Sequence, residues 1–136
     1  MSTTSWIYLY LVCIGAFLVI DLIWLGVVAK DMYRNSLDHL MAESTNWVAG
    51  ISFYLLFVVG IVFFVVEPSL DNGSLISALA TGFFFGFICY ATYDLTNLAT
   101  LQDWPLQLTL IDMVWGGVLS GVVAVIGRVF AKTILI

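Results

Sequence analysis

Four long apolar runs, broken by short polar stretches, set the pattern of this chain. They cover about 6–29, 47–66, 74–101 and 106–130, and each matches the roughly 20 mainly apolar residues that a membrane-crossing helix needs. The polar stretches differ from one another. Residues 31–45 are too polar to cross a bilayer, yet Tyr33, Leu37, Leu40 and Met41 recur at helical spacing, with Arg34, Asn35 and Asp38 elsewhere on the wheel. That predicts an amphipathic helix lying at the membrane interface; a loop packed over the helix ends is the alternative. Ser44, Thr45 and Asn46 are natural caps for the second long helix. Pro68-Ser69-Leu70-Asp71-Asn72-Gly73 is dense in turn formers. It predicts that the second helix stops at Glu67-Pro68 and that a tight hairpin joins it to the third. Gln102-Asp103-Trp104-Pro105 makes the last link, with its proline placed for the first turn of the fourth helix. The expected fold is an all-α membrane protein: one domain of four transmembrane helices, with an interfacial amphipathic helix between the first and the second.

Composition removes the competing classes. A chain of 136 residues that is 62% hydrophobic and only 10% charged does not make a soluble domain of that size. A net charge of −5 provides no basic patch to neutralise phosphates, which excludes nucleic acid as a partner. Cys13 and Cys89 both fall inside apolar runs and read as small buried hydrophobes, with neither a disulfide framework nor zinc spacing. Met1 to Ser5 carry no Lys or Arg, and the run behind them is longer than a signal-peptide core. The expectation is an uncleaved first span.

The polar residues inside the runs carry the candidate chemistry. In the third run, Tyr90, Asp94 and Asn97 fall at i, i+4 and i+7 and share one helix face, with Tyr93 and Thr96 close by. The same face continues back through Gly86 and Gly82, a small-residue ridge that lets another helix approach closely. One pattern, Asp-x-x-Trp-x-Gly, occurs twice: at Asp21, Trp24 and Gly26, and at Asp112, Trp115 and Gly117. Four spans with short links alternate in direction. At about 1.5 Å per residue, Asp21, Asp94 and Asp112 then all lie about 10–12 Å inside the same membrane face.

An ionisable group inside a span is costly unless it faces protein or water, so each aspartate is a site candidate. A plain helix-packing role, hydrogen-bonded to Asn, Thr, Trp or Tyr, is the alternative for any one of them. Three at one depth are harder to explain that way, because like charges would share a small volume and call for a retained proton or a bound cation. The candidate ligand or ion site is therefore Asp21, Asp94, Asn97 and Asp112, with Trp24, Trp115, Tyr90, Tyr93 and Thr96 around them. Asp21, Asp94 and Asp112 are its metal ligands if a hard cation binds. Trp24 and Trp115 read first as packing groups and N–H donors. Lys30, Arg34 and His39 lie on the same membrane face and read as interfacial charges. His39 has no second His or Cys near it to make a metal pair.

Asp21 to Gly26, Tyr90 to Thr100, Trp104-Pro105 and Asp112 to Gly116 resemble, in order and spacing, a bacterial inner-membrane family catalogued as domain of unknown function 2177. The resemblance covers nearly the whole chain. It implies a four-span fold, a bacterial inner-membrane location and a site at Asp21, Asp94, Asn97 and Asp112, but no activity. Such proteins usually carry an early basic residue, which this chain lacks. Lys30 and Arg34 on one face balance Arg128 and Lys132 on the other, so the positive-inside count is tied. A cytoplasmic N-terminus follows from the resemblance alone.

Three function classes stay open. The first is a proton- or cation-linked small transporter or ion-binding protein, which with only four spans calls for a homodimer. The second is an accessory or sensing subunit that binds a small apolar or lipid ligand between helices. The third is a membrane-embedded lipid-modifying enzyme with an aspartate as general acid or base. It lacks a His-rich cluster, a Ser-His pair and a nucleotide loop, and no cofactor is implied. The expected partners are the lipid bilayer, a second copy of the chain, and a small cation or apolar ligand.

Overall fold

The computed structural model describes residues 1–136. Four helices are long and apolar enough to cross a membrane: α1 (Thr3–Val28), α3 (Trp47–Asn72), α4 (Leu75–Thr100) and α5 (Leu106–Leu135). Between the first two of these stands the short α2 (Lys30–Leu37). The chain contains no strand. Local sequence accounts for the helix starts. The Ser2 hydroxyl accepts from the Ser5 N–H at 3.1 Å, and the Asn46 side chain accepts from the Ala49 N–H at 3.2 Å. Ser74 and Ser77 close a reciprocal box, with bonds of 3.0 and 2.7 Å, that satisfies two orphan donors.

Two expectations about the links need correcting. The second long helix does not stop at Glu67-Pro68 but runs on to Asn72. A wide turn over Val62–Val66 opens the hydrogen-bond ladder just before Pro68, so its missing N–H is not called upon. The Ser69 hydroxyl donates to the Val66 carbonyl at 2.6 Å, and the half-buried Arg128 guanidinium donates to the carbonyls of Ser69 and, at 2.6 Å, Gly73. Arg128, counted from the sequence only in the balance of positive charge between the two faces, thus caps this helix. The hairpin shrinks to Gly73 and Ser74. A Cβ on Gly73 would sit 2.6 Å from the Ser69 carbonyl oxygen, so this turn requires glycine. The stretch 31–45 is helical only as far as Leu37; Leu40 and Met41 are exposed beyond it and do not continue an apolar stripe.

The helix at the centre is α5. In its most apolar stretch 56% of residues are buried, against 17–28% in the other three long helices. Its contact with α4 is the most extensive in the molecule; α1 packs on its other side, and α3 closes the bundle. Leu9, Cys13 and Phe17 from α1, Val58, Ile61 and Val62 from α3, and Leu119 and Val123 from α5 form the solid core of one half. Both chain ends and the α3–α4 link meet in one crevice lined by Met1, Ser2, Glu67, Asp71 and Ile136, as alternating spans require. The outward faces stay apolar: Val27, Val48, Leu56 and Ile76 are each more than 70% exposed. Side chains of that kind suit lipid and not water.

Candidate functional site

The half of the bundle opposite the chain ends is hollow. A cavity of about 450 Å³ lies there, within the range of small-ligand sites. All five helices contribute to its wall: Asp21 from α1, Tyr33 from α2, Phe53 and Tyr54 from α3, Tyr90 and Tyr93 from α4, and Asp112 and Trp115 from α5. The rest of the lining is largely apolar, with Leu25, Gly50 and Cys89.

The two Asp-x-x-Trp-x-Gly motifs meet at this cavity and serve each other. Trp24 and Trp115 stack with centroids 4.2 Å apart and planes 8° from parallel. The Trp115 indole N–H donates to the Asp21 carboxylate at 3.0 Å. The Trp24 N–H donates to the Tyr33 phenol oxygen at 3.1 Å, and that phenol in turn donates to the Asp112 carboxylate. Each tryptophan thus supports the other motif's aspartate, one directly and one through Tyr33. A wide turn over Trp24–Val28, closed by a 2.8 Å bond from the Ala29 N–H to the Trp24 carbonyl, ends α1 and turns the chain into α2. Wide turns of this kind are frequent where a helix places functional side chains. Gly117 lies against the Phe83 ring, whereas Gly26 faces open space, so the echo between the motifs stops at the tryptophans.

All three aspartates are buried, with exposures of 4% for Asp21, 1% for Asp94 and 8% for Asp112. They do not form one cluster. No three His, Cys, Asp or Glu side chains are close enough to hold a metal ion, so the three-carboxylate cation centre expected as the metal alternative is not formed. Instead they divide into a pair and a single group. Asp94 lies behind the cavity wall with Asp112 as its charged neighbour, and neither of its oxygens has a hydrogen-bond partner. Asp21 stands apart beside Tyr54, holding the Trp115 N–H.

The remaining predicted residues separate the same way. Tyr90, half-buried, lies over Gly116 and lines the cavity with Tyr93. Tyr93 leans edge-on against the buried Trp104, with centroids 5.6 Å apart. Asn97 neighbours the Tyr93 phenol, outside the lining. Thr96 is exposed, and its hydroxyl is spent on the Thr92 and Tyr93 carbonyls of its own helix. Lys30, Arg34 and His39 are exposed and absent from the cavity wall.

Sequence reasoning missed Tyr33, Tyr54 and Cys89 as lining. Its spacing puts Tyr33 on the apolar stripe of an interfacial helix; in the folded chain it is the hinge of the hydrogen-bond relay. Burial and the Asp112 carboxylate push its phenol well above the usual tyrosine range, so it stays a donor.

A bundle of four apolar spans around buried aspartates defines a multi-pass helical membrane protein. The chain belongs to the predicted membrane protein family DUF2177, whose model matches residues 6–129. No curated protein and no solved structure matches it.

Proposed function

We propose that this protein is a proton-linked binding protein of the small-transporter kind, with the Asp94–Asp112 pair as its proton site and the adjoining cavity as its ligand site. One observation carries the reading: Asp94 is 99% buried, with no hydrogen-bond partner for either oxygen, and its neighbour is a second carboxylate, Asp112. Two ionised neighbours in a low-dielectric interior repel strongly, so the pair retains one proton between them. Asp112 also faces the cavity, where a ligand can reach it. A cation or strong donor arriving there competes with the shared proton, which is the coupling a proton-linked binder needs. The solid core of the other half leaves no path straight through one copy. Transport proper therefore calls for two copies or for a second arrangement of the helices.

Infrared spectroscopy of the purified protein in lipid tests this directly. A protonated-carboxyl band should be present at neutral pH and disappear in Asp94→Asn with the fold intact. Absence of the band, or its persistence in both Asp94→Asn and Asp112→Asn, overturns the reading. The enzyme reading has less support, because no Ser, Thr or His lines the cavity beside the carboxylates. The accessory ligand-binding reading shares the same cavity and differs only in lacking the proton.

A further inference from the structure

A second hollow adjoins the cavity. It is an apolar groove of about 450 Å³ between α3 and α4, and the two share Phe53 and Cys89 as common wall. Its sides are Phe57, Phe63 and Phe64 from α3 and Phe85 from α4, and its floor is Gly60. From Phe53 to Phe63 it follows the helix for about 15 Å at 1.5 Å per residue. The groove faces the outside of the bundle, where Phe63 and Phe64 are more than half exposed.

The polar and apolar hollows thus adjoin across Phe53 and Cys89: a compartment with carboxylates on one side and an aromatic channel on the other. No lysine, arginine or histidine lines either part. Asp21 accepts from Trp115 and stands beside the Tyr54 phenol, and Asp112 accepts from Tyr33. A carboxylate accepts more bonds than that, and Asp94 behind them has no donor beyond the proton it shares with Asp112. The compartment therefore wants positive charge and N–H donors, and the channel wants a hydrocarbon chain.

We propose that the ligand is a single-chain cationic amphiphile, a long-chain primary ammonium being the simplest case. Its head sits between Asp21 and Asp112, and its chain lies in the α3–α4 groove, reached sideways from the lipid. This rests on the proton-linked reading and specifies its substrate class. Charge balances in the exchange. The ammonium enters with its single positive charge as the proton shared by Asp94 and Asp112 leaves to water, so the three carboxylates carry one compensating positive charge before and after; the head takes over from the proton in offsetting the repulsion within the pair.

The groove excludes two neighbouring classes. An anionic or zwitterionic phospholipid would bring a phosphate against the aspartates, at a cost that no cation in the lining offsets. A short amine would satisfy the compartment but leave the channel to bilayer lipid.

Cys89 supplies the reporter, since it lies on the wall shared by both hollows while Cys13 is fully buried in the core. The full chain in lipid nanodiscs is treated with a small maleimide, and Cys89 modification is followed by mass spectrometry in the presence of dodecylammonium, butylammonium or dodecyl sulfate. Dodecylammonium should slow modification at concentrations where the other two do nothing. Asp112→Asn and Asp21→Asn should each raise the concentration required about ten-fold or more, as expected for losing a charged hydrogen-bond partner. Gly50→Leu gives a second route that leaves the carboxylates alone. A Cβ there meets open space inside the compartment, so the variant folds and should lose protection by filling the head site.

Equal protection by dodecyl sulfate overturns the charge assignment, and equal protection by butylammonium overturns the groove. Either result, with the protonated-carboxyl band intact, sinks the amphiphile while leaving the proton site standing. Loss of the band sinks both.

Discussion

Helix α4 has two seams built on opposite rules. Toward α5 it presents Ala78, Gly82 and Gly86, all buried, and α5 answers with Gly116, Gly117, Ser120, Gly121 and Ala124. A Cβ placed on Gly82 would lie 2.9 Å from the Gly121 backbone and from the Ala124 methyl. Toward α3 the same helix presents rings. Phe85 stacks on Phe57 at 5.7 Å and tilts against Phe64 at 6.0 Å, and beyond them the helices part around the two hollows.

In lipid no hydrophobic force pulls helices together, so close contact depends on dispersion between surfaces that fit. Small residues let whole backbones meet. Rings keep backbones apart and make contact only at points, and the space between them is where a ligand goes. One helix thus separates stability from binding by which residues line each side.

The largest expected effect breaks the tight seam. In Gly86→Leu even the first side-chain carbon would fall 2.6 Å from the Ser120 Cβ and deep inside contact with the Gly116 carbonyl. Neither backbone can retreat without opening the seam, so thermal stability in detergent should fall by about 3 kcal/mol or more. A variant as stable as the parent would refute close backbone packing there.

A smaller effect concerns the cavity side. Tyr33→Phe removes the phenol that donates to Asp112 and accepts from Trp24, at an expected cost of about 1–3 kcal/mol. The loss should be local. Helix α2 is held to the bundle by this relay, so trypsin should nick the variant faster at Lys30 and Arg34 while α4 and α5 stay protected. The relay also sets a pH window. A phenol whose folded value is raised stabilises fully below the ordinary tyrosine value of about 10 and loses that contribution as pH climbs above it. Wild-type protection of α2 should therefore be flat through neutral pH and weaken only in strong alkali. Equal nicking of wild type and Tyr33→Phe would mean that the relay holds nothing.

The smallest effect on stability belongs to Gly50, the glycine on the hollow side. Nothing lies within 4 Å of a Cβ built there. Gly50→Leu should leave stability within about 0.5 kcal/mol of the parent, the usual range for substitutions away from packed features. It sharpens the contrast with Gly86, because the same chemical change separates a packed seam from an open wall. A drop as large as that of Gly86→Leu would show that the two sides of the bundle do not differ.

The sequence by itself determined the class and most of the frame. Four runs of sufficient length dictate four helices, because no other open backbone arrangement satisfies its hydrogen bonds in lipid. The i, i+4, i+7 spacing put Tyr90 and Asp94 on the glycine face of α4, and that face is the buried one. Counting residues from helix ends brought Asp21 and Asp112 to one level, and they line one cavity. Depth, however, is a single coordinate. Counting along a helix says nothing of the angle around the bundle axis, so it could not separate Asp21 from the Asp94–Asp112 pair. Nor could it turn Thr96 outward, where its hydroxyl bonds its own backbone.

The continuation of α3 past Pro68 was also out of reach, since it depends on a wide turn before the proline and on Arg128 arriving from a helix some 60 residues away. Tyr33 is the plainest case. Its spacing assigns it to a lipid-facing stripe, and only the folding of α2 back over the end of α5 makes it the donor to Asp112. Local pattern reports which residues share a face; which faces meet is decided by packing between helices far apart in the chain.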